Sequence, residues 1–152
     1  MGDHGVGIIE FELARTSQKA AEYYRDLGPK GRDAARESLY LDYPYLILYG
    51  LFFAAACVVV GARAAERGMT RLASLGRPLA IAGLAGAACD AVENAALLLV
   101  LGGHTGQPWP GIAFTFASIK FLLTGAASIY VVVGFLLTLR GTRQPATAPD
   151  AG

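Results

Sequence analysis

Charge is the scarcest property of this chain. Asp, Glu, Lys and Arg make up 16% of its 152 residues, where a soluble domain carries about 25%. Hydrophobic residues supply 54%, and mean hydropathy is +0.43. The net charge of +1 comes without any dense basic run, which excludes nucleic acid as an expected partner. Cysteine is nearly absent as well. Cys57 and Cys89 each lie in an apolar run, far in sequence from His4 and His104, and such a set cannot complete a four-ligand zinc site. Both read as small buried apolar residues. A phosphate loop, a thiol nucleophile and a haem ligand set are also missing, so no cofactor and no metal is expected. The first 38 residues contain no continuous apolar core. A cleavable signal peptide is therefore not expected, and the first spanning segment must direct insertion.

Long apolar runs are what the chain does have. They cover residues 43–62, about 79–101 and about 112–139, each long enough to cross a bilayer core of about 30 Å. The expected fold class is all-α, an integral membrane three-helix bundle forming a single membrane domain. Residues 1–42 are expected as extramembrane amphipathic helical segments and residues 140–152 as a disordered tail. Ile8 to Leu13 reads as a short strand or extended chain. Thr16 or Ser17 can then cap a helix that places Leu13, Ala20, Tyr23, Tyr24 and Leu27 on one side. Gly28-Pro29 stops it, and a second short helix follows over about Gly31–Leu41. Asp42 stands at the doorstep of the first span with Pro44 in its first turn, a pattern that makes Asp42 a helix cap.

Arg63, Arg67, Arg71 and Arg77 crowd the first connection, and Arg140 and Arg143 follow the last span. Positive charge favours the cytoplasmic side, so the N-terminus and the turn around Trp109 are expected outside a cell membrane. Trp109 reads as an interface anchor and His104 as a solvated loop residue.

A charge near the middle of such a span costs about 2.5–3.5 kcal/mol even on lenient scales, so each one needs a reason. Asp90, Glu93 and Asn94 stand at i, i+3 and i+4 and share one helix face with Ala87 and Gly83. Lys120 lies on a stripe of the third span with Phe116, Thr124 and Ser128. Glu93 and Lys120 sit at equal depth, roughly 12 Å from the edge bearing the short Trp109 turn, which predicts that they meet. Asp42, Tyr45 and Tyr49 share a face of the first span near the same edge, and tyrosines can bring hydroxyls to a polar pocket. Two carboxyls facing one ammonium predict that one of them holds a proton at neutral pH.

Leu41-Asp42-Tyr43, Asp90-Ala-Val-Glu93-Asn94, Lys120, Phe11-Glu12-Leu13-Ala14 and Leu27-Gly28-Pro29-Lys30-Gly31 give the chain a recognisable pattern. It resembles a group of small, uncharacterised bacterial integral membrane proteins over most of residues 8–138. The resemblance implies an architecture, a membrane bundle with these polar positions, and no activity.

Three functions follow from the residues. The first is binding of a small lipophilic or amphiphilic ligand by Asp90, Glu93, Asn94 and Lys120, with Asp42, Tyr45, Tyr49 and Thr124 lining the pocket. Here Lys120 neutralises an anionic group or a carboxylate, Glu93 pairs with it, Asp90 carries a proton and Asn94 orients them. Any catalysis there would be carboxylate acid/base chemistry. The second is an accessory subunit that docks on copies of itself or on another membrane protein, its ion pair purely structural. Gly83/Gly86/Ala87 and Gly125/Ala126/Ala127 suit the close helix contacts this needs. The third is a proton-coupled transporter, against which stands the absence of two matching halves. Membrane lipids are the common partner in all three.

Overall fold

The computed structural model describes residues 16–140. The segment expected as strand or extended chain (8–13) lies outside the described residues, as does the expected disordered tail (140–152) apart from Arg140, which ends the last helix. Four helices follow in order: α1 (Ser17–Asp26), α2 (Gly28–Glu66), α3 (Thr70–Leu101) and α4 (Trp109–Arg140). Three of them are long and apolar enough to cross a membrane. The protein is thus an all-α membrane bundle with a short amphipathic helix at its amino-terminal end.

Thr16 caps α1, its Oγ1 accepting from the Lys19 N–H at 3.4 Å. The chain then turns at Gly28, whose φ of +60° is the left-handed conformation that glycine reaches without strain. Pro29 opens the next helix, where its missing N–H would have been unpaired anyway.

From that point α2 runs unbroken for 39 residues. The expected short helix over 31–41 and the expected span over 43–62 are one element, and Asp42 caps nothing. The physical reason is local. Residues 34–41 include good helix formers such as Ala34, Ala35, Arg36, Glu37 and Leu39, and Ala35 and Leu39 pack on the upper core. Pro44 removes one N–H, that owed to the Tyr40 carbonyl, and a spanning helix tolerates this loss. At 1.5 Å per residue α2 is about 58 Å long, almost twice the hydrocarbon thickness, so its first turns project beyond the membrane.

α3 is the central helix. Half of its most apolar stretch is buried, against 28% and 22% for α2 and α4. Small residues bring its neighbours close. A Cβ placed on Gly83 would stand 2.8 Å from the Phe53 Cβ of α2, and one on Gly50 would stand 2.7 Å from the Ala87 Cβ. On the other side, a Cβ on Gly86 would stand 2.7 Å from Thr124 Cγ2 of α4. Besides Pro110 and Tyr130, the buried positions of α4 are Ala113, Ala117, Ala127, Gly134 and Thr138, which fall near a seven-residue rhythm with Lys120 and Thr124 on the same seam.

Two cores result. The lower one joins Cys57, Val60, Ala80, Ala127 and Tyr130, and the Tyr130 hydroxyl donates to the Leu72 carbonyl at 2.9 Å. The upper one seats Ala20 of α1 on Ala96, Leu97, Val100, Leu101 and Ala113, with Tyr23, Leu27 and Trp109 around it. Arg36 adds a donor to the Leu101 carbonyl (3.4 Å) at the carboxyl end of α3, where the helix dipole favours a cation. The polar residues lie between these cores.

The glycine contacts can be tested. Gly86→Leu overpacks the α3–α4 seam and should cost about 1–3 kcal/mol. Gly125→Ala, at a position with open space around it, should stay within about 0.5 kcal/mol of the parent. Thermal unfolding in detergent reads both, and equal melting temperatures for the two variants would contradict this packing.

Candidate functional site

The α3 face predicted by the i, i+3, i+4 spacing points into the bundle. Asp90, Glu93 and Asn94 are 5%, 0% and 2% exposed. Packing of α4 against α3 brings Lys120 to them. Its Nζ lies 2.6 Å from Glu93 Oε2 and 2.9 Å from Asp90 Oδ1. The sequence reading pairs Lys120 with Glu93 and sets Asp90 a turn deeper. In the structure one ammonium bridges both, because a lysine side chain is long enough to reach two carboxylates one turn apart. Three N–H donors on one nitrogen make this possible.

α2 completes the arrangement from the far side. The Tyr49 hydroxyl donates to Asp90 Oδ2 at 2.8 Å. Both oxygens of Asp90 therefore have hydrogen-bond partners, one from α4 and one from α2. Asn94, expected to orient the ion pair, donates through Nδ2 to Asp42 Oδ2 at 2.6 Å, tying α3 to α2. This is why Asp42, inside a continuous helix and unable to cap it, has a side-chain partner. One turn along, the Tyr43 hydroxyl donates to the Ala91 carbonyl at 3.3 Å.

A groove of about 350 Å³ lies beside this network, between α2 and α4, with α3 as its floor. Asp42, Tyr45, Tyr49, Asp90, Lys120 and Thr124 line it, joined by Phe53, Phe121 and Ser128. Glu93 stands behind Lys120, away from the groove surface. Tyr45 and Phe121 form exposed lips, 63% and 58% accessible. The rings of Tyr45, Tyr49 and Phe53 follow one another at centroid distances of 5.6 and 6.3 Å. Lys120 Nζ lies 5.1 Å from the Phe121 centroid, a cation–π distance.

Phe53 and Phe121 are absent from the sequence-based set. Phe53 was within reach, since it extends the Tyr45, Tyr49 series by another four residues on the same α2 face. Phe121 carried no signal beyond its place beside Lys120.

Other polar positions stay apart from the groove. His104 is exposed on the α3–α4 turn, its Nδ1 3.2 Å from the Leu99 carbonyl. Cys57 is buried in the lower core and Cys89 is half-buried. Among the described residues, no group of three His, Cys, Asp or Glu side chains is placed to hold a metal ion. No family model matches the chain, and neither a curated protein nor a solved structure is found to match it.

The ion pair predicts a non-additive response. Lys120→Met strands two carboxylates in a low dielectric and should cost about 3–5 kcal/mol. Adding Asp90→Asn and Glu93→Gln to it should restore much of that loss, because the charges themselves are then gone. Thermal melts of the single and triple variants decide the point. A triple variant that melts below the single one would contradict the bridge.

Proposed function

We propose that this is a multi-pass protein of the cell membrane, with its N-terminus outside, that binds a small lipophilic or amphiphilic molecule in the groove between α2 and α4. One observation carries the reading. Charged and hydroxyl-bearing side chains share a single open groove with four aromatic rings, at the level of a membrane span. A ligand pocket characteristically combines an apolar wall with a few placed polar groups. An interhelical lock needs only Lys120 and one carboxylate. Asp42, Tyr45 and Tyr49 go beyond that need, and they face the same space. The groove's open lips suit a molecule that arrives from the lipid phase, its polar end against Asp42, Asp90 and Lys120.

The accessory-subunit reading draws on a separate observation. A Cβ placed on Gly125 would meet open space, and Ala126 beside it is exposed. Small residues left open on a spanning helix suit a second helix.

Native mass spectrometry of the protein extracted from its membrane tests the main reading. A bound small amphiphile should persist through delipidation. Ser128→Trp, which fills the groove, should release it, whereas Leu122→Trp on the exposed face of α4 should not. Identical adducts on both variants, or none on the parent, would overturn the reading.

A further inference from the structure

Most polar atoms of the groove are acceptors, with the Lys120 ammonium and the Tyr45 hydroxyl as its donors. Thr124 Oγ1 donates to the Lys120 carbonyl and Ser128 Oγ to the Thr124 carbonyl, each at 2.7 Å. A hydroxyl has a single hydrogen, so these side chains, having given theirs to their own helix, offer a ligand lone pairs alone. Tyr49 has likewise given its hydrogen to Asp90. Asp42 and Asp90 are acceptors when ionised. Lys120 is the cation of the groove, and its ammonium is already within 2.9 Å of two carboxylates.

Charge has the same sense. Asp90 and Glu93 hold Lys120 and Asp42 lines the same groove, so the set of three carboxyls and one ammonium, fully ionised, is two positive charges short of neutrality. An anionic headgroup would meet acceptors and like charge. A neutral hydroxyl would find acceptors and leave the imbalance in place. A protonated primary amine brings three N–H donors and a positive charge together. The faces of Tyr45, Tyr49, Phe53 and Phe121 attract a cation in addition. Asp42 to Phe53 spans eleven residues of α2, roughly 16 Å, which gives the groove room for a chain below the headgroup.

We infer that the groove binds a protonated primary amine carried on an apolar chain. The ammonium lies among the Asp42 and Asp90 carboxylates and the chain runs along Phe53 and Phe121. This inference rests on the groove being a ligand site, and the experiment separates the two claims.

The protein in phosphatidylcholine nanodiscs is labelled with a photoactivatable diazirine analogue of dodecylamine, and the labelled peptides are mapped by mass spectrometry. Dodecylammonium, dodecyltrimethylammonium, dodecanol and dodecyl sulfate then compete with it. Label should fall on residues 42–53 and 120–128, and dodecylammonium should compete at about tenfold lower concentration than the other three. Asp42→Asn should weaken dodecylammonium about tenfold. Tyr45→Leu, at an exposed lip that folding does not require, should weaken it severalfold and serves if Asp42→Asn fails to assemble. Nanodiscs containing phosphatidylethanolamine identify the source. Reduced labelling there assigns the ammonium to a lipid headgroup, and unchanged labelling assigns it to a free alkylamine. Equal competition by dodecyl sulfate or dodecanol would overturn the charge preference while leaving the groove a binding site. Equal competition by dodecyltrimethylammonium would overturn the demand for N–H donors. Label spread evenly over all helix faces would overturn both this inference and the reading beneath it.

Discussion

The Lys120 ammonium, held between Asp90 and Glu93, is the interaction on which the polar centre of this bundle depends. Removing Lys120 leaves two carboxylates in hydrocarbon without their counter-ion, and in that medium charges survive by pairing. The bridge fixes the register of α4 on α3. It also turns the Asp90 carboxylate so that its second oxygen meets Tyr49 of α2. A contact between two helices is thereby extended to the third, and Tyr49, Asp90 and Lys120 together line the groove.

The apolar packing makes this geometry attainable. Gly83 and Gly86, three residues apart on α3, receive Phe53 of α2 and Thr124 of α4 respectively. Close approach at those glycines lets short side chains such as Asp90 and Asn94 reach partners on α2. α2 and α4 touch each other less, and their divergence opens the groove over the floor of α3. Above, α1 and the projecting turns of α2 close the end of the bundle through Ala20, Leu27 and Arg36.

Much of this was legible in the residues alone. Three apolar runs specify three spanning helices, and the 3.6-residue period puts Asp90, Glu93 and Asn94 on one face whatever the surroundings. Equal depth across a short turn brings Lys120 to that face. The partners supplied by α2 were not legible, because depth on a helix does not specify rotation about its axis. Asp42 shows the difficulty. Beside Pro44 it has the local signature of a cap, yet the helix formers before it carry the helix through, and its carboxylate meets Asn94 across the bundle. Phe121 shows it again, since its place in the groove follows from how α4 is turned and from nothing in its neighbours.

If the groove between α2 and α4 is a ligand site built around the Lys120 bridge, a high-resolution density map of the protein in lipid nanodiscs will show elongated density between Tyr45 and Phe121, its polar end within hydrogen-bonding distance of Asp42 or Asp90. A groove filled by the protein's own side chains, or sealed by the helix of a second copy, would contradict it.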